Sequence, residues 1–156
     1  MDSSSSDSKL LRELMVRETL KELRARYCWC AARGDTESMT LMFTSDGLFE
    51  FTLNTERRQC RGHDEIRAWL EKTTLPALVF PMAHNEVFVI NGDEAVGTCG
   101  MEARTNAPDV PFFSGYYHDR FRQVDGKWLF SERRFFRYWP NFEASGLDIS
   151  GNPQKS

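Results

Sequence analysis

The second half of this 156-residue chain reads as strands joined by short turns, and that run constrains the fold more than any other feature. Residues 84–90 alternate apolar and polar side chains, and an Asn-Gly-Asp turn then leads into Glu94–Arg104. Asp125-Gly126 is a strong hairpin turn between Phe112–Val124 and Lys127–Trp139. Because strands joined by tight hairpins pair antiparallel, this half predicts an antiparallel sheet.

The first half reads mainly as helices. Over residues 10–33 apolar side chains recur mostly three or four positions apart, with charges between them. Gly34 is typical of a residue that ends a helix, and Asp35 can cap a short second helix. A third helix opens at Gly62 and Asp64, and its apolar face consists of Ile66, Trp69 and Leu70.

One strand is expected between the second and third helices. Asp46-Gly47 is predicted to turn the chain into this strand, at residues 48–53, and a polar, arginine-rich hairpin at residues 54–61 follows. Helices that precede a run of hairpin-linked strands predict an α+β fold. About three N-terminal helices would pack on one face of a curved antiparallel sheet.

Composition sets the size of the core. A chain of this length, with 40% apolar and 13% aromatic residues, can bury one sizeable core and still line a cavity with large side chains. We divide it into a disordered N-terminal segment at residues 1–8, which is serine-rich and acidic, one domain at residues 9–140, and a loose polar tail at residues 141–156.

Charge and targeting signals disfavour several classes of function. The formal net charge of −3 gives no electrostatic reason to expect nucleic acid or an anionic membrane as a partner. Residues 1–8 lack the basic start and apolar stretch of a secretory signal, and no apolar run approaches the ~20 residues that cross a bilayer. Four cysteines in a chain of this length do not indicate a disulfide framework. We therefore expect a soluble, cytoplasmic protein.

The sequence predicts no metal site and no cofactor. Cys28 and Cys30 lie two positions apart on a helix, about 200° around its axis, so they cannot both face one metal ion. The other cysteines and histidines show no ligand spacing, and the glycines lie in turns and not in a phosphate-binding motif. A Gly-x-Ser-x-Gly elbow for a nucleophilic serine is also absent.

The last predicted strand has large aromatic side chains on both faces. Simple alternation places one set together, Trp128, Phe130, Phe136 and Tyr138, and another set opposite, Leu129, Phe135 and Trp139. A solvated aromatic face is unfavourable, so either the tail or a second subunit is expected to cover it. We favour a homodimer.

Six short sequence motifs lie in order along these elements. They are Arg26-Tyr27 followed by Gly34-Asp35, residues 42–47, Arg61-Gly62 followed by Ile66, Ala83-His84-Asn85, residues 92–95 and residues 125–128. This ordered set resembles the SnoaL-like family of the nuclear-transport-factor-2-like fold. Together they span roughly residues 10–139. The resemblance implies a cone-shaped barrel that holds a small, largely apolar molecule, in a fold that serves dehydratases, isomerases, cyclases, hydrolases and plain binding proteins.

The resemblance assigns three residues a role in chemistry. Tyr27 stands where ketosteroid isomerase and bile acid 7α-dehydratase have a helix tyrosine that hydrogen-bonds a substrate oxygen. His84 stands at the family's strand-start histidine, a general base or acid. Arg137 matches a strand arginine that would bind a carboxylate or a developing enolate. From the residues alone, a core tyrosine, a satisfied histidine and a surface arginine remain alternatives.

The chain also departs from the family pattern. Ala32 stands where the dehydratases have the aspartate that orients the histidine, the second histidine falls near Cys99, and a pocket tyrosine or base falls at Phe51. A partner for His84 must therefore come from elsewhere.

Asp119 is our candidate for that partner. It shares a predicted strand face with Gly115 and Tyr117, and the isomerase's acidic residue falls near it. Its structural alternative is a hydrogen bond with Arg120 or with a backbone amide.

Two functional hypotheses follow from the resemblance. The first is a cofactor-independent lyase, dehydratase-like, acting on a small cyclic or aromatic metabolite; isomerisation or cyclisation would use the same groups. His84, Tyr27 and Asp119 would be catalytic, and Arg137, Tyr117, Phe51 and Trp69 would bind substrate. The second is a non-catalytic small-molecule-binding protein, or one like the small subunit of a ring-hydroxylating dioxygenase, which Ala32 favours.

Overall fold

The structure is a computed structural model and describes residues 3–53, 56–150 and 152–154. Its helices are α1 (Ser3–Arg33), α2 (Thr36–Leu41) and α3 (Gly62–Ala77). Its strands are β1 (Phe43–Leu53), β2 (Glu56–Arg61), β3 (Phe80–Asn91), β4 (Glu94–Arg104), β5 (Phe112–Val124) and β6 (Lys127–Trp139). The predicted α+β fold is confirmed.

The strands form one curved, open sheet in the order β2-β1-β6-β5-β4-β3. Each neighbouring pair is antiparallel except β1 and β6, which run parallel. The sheet does not close into a barrel, because β2 and β3 are its two edges. The parallel pair was not predicted, since it joins segments far apart in the chain.

The helix α1 packs along one stripe. Leu20, Arg24, Tyr27 and Ala31 are spaced by four, three and four residues, and all are buried. The helix begins at Ser3 and not at residue 10, so it extends into the segment expected to be disordered; Met1 and Asp2 lie outside the described residues.

The end of α1 and the start of α2 follow the predicted capping. Gly34 has a φ of +70°, a backbone conformation that favours glycine, and a Cβ there would lie 2.8 Å from the side chain of Leu75, which would have to move. The Asp35 carboxylate accepts a hydrogen bond from the Ser38 backbone N–H at 3.0 Å, which caps α2.

Two strands begin earlier than predicted. The β1 strand starts at Phe43, so Asp46 and Gly47 lie inside it and not in a turn before it. The pairing of β1 with β6 shifts register between Phe43 and Leu48, and this irregularity accommodates the two residues. The β3 strand starts at Phe80, ahead of His84. In the predicted hairpin at 54–61, residues 54 and 55 lie outside the described residues.

The predicted faces of β6 are wrong in its second half. Phe121 of β5 pairs with Phe130, whereas Arg120 pairs with Glu132, so β6 has one extra residue, Ser131, at this point. A bulge of this kind reverses the alternation of side chains beyond it. Consequently Phe135 joins the inner face with Trp128 and Phe130, and Phe136 and Tyr138 lie on the outer face.

The C-terminal residues are not loose where the structure describes them. They cross the outer face of the sheet, where the Tyr116 hydroxyl donates to the Glu143 carbonyl at 2.7 Å. Residues 151, 155 and 156 of the predicted tail lie outside the described residues. None of the described helices combines the length and the apolar character that a membrane span requires.

Candidate functional site

A cavity of about 490 Å³ lies between the helices and the concave face of the sheet. This volume is within the range of small-molecule sites. Most of its described lining side chains are apolar. From the helices these are Tyr27, Ala31, Met39, Trp69, Leu70, Thr73, Thr74 and Ala77; from the strands and loops, Phe49, Phe51, Thr52, Val79, Pro81, Met101, Thr105, Ala107, Val110, Phe113, Tyr117, Phe135, Arg137 and Pro140.

Aromatic rings form two walls of the cavity. Phe51 of β1 and Trp69 of α3 stack with ring centroids 4.1 Å apart and planes 18° apart. On β5 and β6, the ring of Phe135 contacts those of Phe113 and Tyr117, at 6.1 and 5.4 Å. Flat apolar walls of this kind favour a flat apolar ligand.

Two tyrosines contribute polar hydroxyl groups to the lining of the cavity. Tyr27 and Tyr117 are 3% and 7% exposed, and neither hydroxyl has a hydrogen-bond partner among the described residues. Burial raises the pKa of both phenols, and the charge of Arg133 only partly opposes it. Both groups are therefore protonated at neutral pH and can donate a hydrogen bond to a ligand oxygen.

A buried cation lies against these two rings. The guanidinium carbon of Arg133 lies 3.7 Å from the centroid of the Tyr117 ring and 4.4 Å from that of Tyr27. Burial is the largest single influence and disfavours the charge, but the Asp119 carboxylate together with Tyr117, Tyr27 and Cys99 outweighs it and raises the pKa of Arg133, which stays charged.

Asp119 serves two arginines at once. Its Oδ2 lies 2.9 Å from Nε of Arg24, and its Oδ1 lies 3.2 Å from Nε of Arg133. A second carboxylate, Glu86, is 3.7 Å from Arg24 Nη1. Within the described residues, neither terminal nitrogen of Arg24 has a hydrogen-bond partner, nor does Nη1 of Arg133. The structural alternative for Asp119 was a hydrogen bond with Arg120 or with a backbone amide; its partners are instead arginines of α1 and β6.

Sequence reasoning missed both arginines, although a signal existed for one. Arg24 lies four residues after Leu20 and three before Tyr27, which is the spacing of the buried stripe. Arg133 carried no such signal, because the bulge at Ser131 sets which face it occupies.

Arg137 is the one charged side chain among the described lining residues. Its guanidinium has no ion pair or hydrogen bond within the described part of the chain, since its contacts with Glu143 are made through the backbone. An unpaired cation in a mostly apolar wall favours an acidic group on the ligand.

His84 lies outside the cavity, contrary to the expectation that a strand start would direct it inward. Its backbone pairs with Gly100, and its exposed imidazole lies over that glycine on the outer face of β4, where a Cβ would be 2.7 Å from Cε1. The inward positions of the β4 strand are its neighbours Cys99 and Met101, which are buried. Alternation of side chains along paired strands therefore directs His84 away from the ligand space.

The structure thus brings together five of the seven predicted site residues. Tyr27, Phe51, Trp69, Tyr117 and Arg137 all line the cavity. His84 and Asp119 do not, and Asp119 engages arginines and not an imidazole. Among the described residues, no group of three or more His, Cys, Asp or Glu side chains could hold a metal ion.

These features define a helix-covered open sheet built around a ligand-sized cavity, the architecture of nuclear-transport-factor-2-like proteins. Residues 12–134 match the model of the SnoaL-like domain. The chain therefore belongs to the SnoaL-like family.

Solved structures share this fold at low sequence identity. A nuclear-transport-factor-2-like protein with a cystatin-like fold from Novosphingobium aromaticivorans has a TM-score of 0.77 at 21% identity, over 90% of this chain and 94% of that one. A protein of unknown function from Mycobacterium tuberculosis has a TM-score of 0.75 at 22% sequence identity, over 90% of this chain and 85% of that one. A proposed scytalone dehydratase from Novosphingobium aromaticivorans has a TM-score of 0.73 at 18% sequence identity, over 90% of this chain and 94% of that one. A comparison with curated proteins finds no match.

Proposed function

We propose that this protein binds a small, flat, cyclic or aromatic molecule with a largely apolar surface. The observation that carries this proposal is the cavity of about 490 Å³ whose walls include the stacked rings of Phe51 and Trp69. Burying an aromatic ligand there gains about 25 cal/mol per Å² of apolar surface, from which the cost of association is subtracted.

The polar groups of the wall would orient this ligand. The hydroxyls of Tyr27 and Tyr117 donate to a ligand oxygen, and the guanidinium of Arg137 binds an acidic group. A hydroxylated aromatic acid combines the three features. Its apolar face contacts the aromatic walls, and its two oxygen-bearing groups meet the phenols and the arginine.

The binding test uses 1-naphthoic acid and its neutral amide as probes. The acid should quench tryptophan fluorescence and raise the melting temperature; at 100 times the Kd, the stabilisation is about 2.7 kcal/mol. Ala77→Phe fills the cavity from α3 and should abolish binding. Ala68→Phe, at an exposed position of the same helix, is the matched control and should bind normally. Equal binding by the two variants would place the ligand elsewhere.

A second candidate function is a cofactor-independent lyase of the dehydratase kind, with isomerisation or cyclisation as related reactions. The specific observation in its favour is the pair of unpartnered phenols over the buried Arg133 cation. Donors held in a dry site stabilise an oxygen on which negative charge develops. The described cavity wall contains neither a carboxylate nor an imidazole, so we propose that the proton removed from carbon passes to a water molecule or to the substrate's own carboxylate and then to the leaving hydroxyl, which departs as water.

Once a substrate is found, the enzyme test compares the substitution of either phenol with the substitution of His84. Tyr27→Phe or Tyr117→Phe should lower kcat by about 100-fold, with a smaller change in binding, because one oxyanion donor is removed. His84→Ala should leave kcat near normal, since the imidazole lies on the outer face. The reverse result, a loss with His84→Ala alone, would show that the histidine acts in the reaction.

A further inference from the structure

In the part of the chain that the structure describes, the end of β6 lacks a neighbouring strand on one side. The pairing of β1 with β6 ends at Glu50 and Arg134, so the backbone groups of β6 beyond this point have no ladder partner there among the described residues. Side chains and the C-terminal residues take the place of the missing strand. The Phe135 carbonyl accepts a hydrogen bond from Arg57 Nη1 at 2.8 Å.

Glu143 binds the next free position, Arg137, at both of its backbone groups. The Arg137 N–H donates to Oε2 of Glu143 at 2.8 Å, and the Glu143 N–H donates to the Arg137 carbonyl at 2.8 Å. A backbone donor that loses such a charged acceptor in a partly buried site loses free energy. Glu143 therefore fixes the strand position from which the Arg137 side chain enters the cavity wall.

Residues 141–150, which we call the C-terminal segment, continue from there across the outer face. The segment is held on β5 by the Tyr116 hydroxyl, which donates to the Glu143 carbonyl, and by His118, whose Nε2 lies 3.2 Å from Oγ of Ser145. On β4 the Thr98 hydroxyl donates to the Ile149 carbonyl. The segment thus crosses three strands.

The hydrogen bonds around His118 define one neutral tautomer. Thr98 uses its only hydroxyl hydrogen on the Ile149 carbonyl, so its oxygen, 2.8 Å away, accepts from Nδ1–H of His118. The Nε2 atom is then an acceptor for the Ser145 hydroxyl, whose oxygen already accepts the Leu147 N–H at 3.1 Å. A proton added to Nε2 would remove the acceptor of the Ser145 hydroxyl.

The charged groups near His118 have both signs. Asp119 and Arg120 follow it on β5, Glu132 and Arg134 lie on β6 around the same small void, and Asp148 lies on the C-terminal segment. Burial, with a smaller contribution from the charge of Arg134, outweighs the two aspartates and lowers the pKa of His118 from its ordinary value. Folding therefore favours the neutral ring.

We propose that the C-terminal segment binds the outer face of the sheet and holds the end of β6 in place, an arrangement that we call the clasp. In it, Glu143 is a positioning residue for Arg137 at the cavity. His118 keeps the segment bound to the sheet, and we call it the latch. Pro140, which leads into the segment, also lines the cavity, so the clasp and the cavity wall share one stretch of chain. The effect of the clasp on ligand binding rests on the proposed function; its docking and release do not.

The first test measures amide hydrogen exchange by NMR in the full-length protein. Glu143→Ala should speed exchange of the Arg137 N–H by about 10-fold, because its acceptor is removed, and Glu143→Gln should restore most of the protection. Glu102→Ala, at an exposed position on the same face of the sheet, is the control and should leave the exchange of the Arg137 N–H unchanged. Unchanged exchange at Arg137 in Glu143→Ala would overturn the clasp.

The second test uses 1-naphthoic acid as the probe. Glu143→Ala should weaken its binding by about 5- to 10-fold, whereas binding of the neutral amide should change less, because only the acid uses Arg137. If exchange speeds up but the acid and the amide are affected alike, Glu143 is not a positioning residue for Arg137. If neither compound binds the wild type, the proposed function fails, and the exchange experiment still decides whether the clasp exists.

The third test varies pH. Because the pKa of His118 is lower in the folded protein, the clasp is stabilised at pH values above the ordinary value near 6.5 and loses this stabilisation as the pH falls through the folded pKa. Exchange in residues 143–149 of the wild type should therefore increase between pH 7.5 and pH 5, after correction for intrinsic rates. His118→Gln keeps a donor and an acceptor without titrating and should abolish this increase. An equal increase in both proteins would rule out the latch.

Discussion

Asp119 is the counter-charge of two buried arginines and is not among the described residues of the cavity wall. Its carboxylate lies between two guanidiniums that are fully shielded from solvent, Arg24 and Arg133. Charges without water are tolerated only when they are paired. One aspartate therefore makes it possible for a helix arginine and a strand arginine to occupy the core, and one of them, Arg133, lies against the cavity phenols.

Removal of this carboxylate should be costly. Asp119→Ala leaves two buried cations uncompensated, and we expect a loss of about 3–5 kcal/mol in the free energy of unfolding, measured by urea denaturation. Asp46→Ala removes an exposed partner of Arg122 and should cost at most about 1 kcal/mol. If both variants lost the same small amount, the buried cluster would not contribute as described.

At the scale of elements, α1 has two parts with different roles. Leu20 is fully buried on the sheet side, whereas Leu10, Leu11, Leu14 and Met15 are exposed by 51–63%. The first turns of α1 therefore contribute little apolar burial within one chain, and its later turns contribute most of it.

A pair of identical substitutions on α1 tests this division. Leu20→Ala should reduce the free energy of unfolding by about 2–5 kcal/mol, because it leaves a cavity in the core. Leu11→Ala should change it by less than about 0.5 kcal/mol. Comparable losses, measured by chemical denaturation of the two variants, would mean that the exposed turns are packed in solution.

The elements also show which features of the fold could be predicted from the sequence and which could not. Helical spacing and hairpin turns predict the order of elements, because both are local signals. The bulge at Ser131 is a mismatch between two strands, so alternation along β6 alone could not reveal that Phe135 and Arg137 point inward. His84 was misplaced because family position identifies a strand, which begins earlier at Phe80, but not the face on which the side chain of His84 lies.

At the scale of the whole molecule, the homodimer stays a prediction. The C-terminal segment covers part of the outer face. However, four large apolar side chains within it or just before it remain 58–67% exposed, namely Tyr138, Trp139, Phe142 and Ile149. Light scattering at micromolar concentration should give a mass near twice the 18.1 kDa of one chain. A mass near that of one chain would contradict the prediction.

The parallel pairing of β1 with β6 has a consequence for biosynthesis. A ribosome releases β1 long before residues 130–134 exist, and Arg24 leaves the exit tunnel long before Asp119 and Arg133. The nascent N-terminal half therefore exposes an apolar strand and an arginine whose counter-charge has not been made. Sheet completion must follow synthesis of almost the entire chain, and a chain that is truncated before β6 should be a substrate for chaperones and proteases and not a folded intermediate.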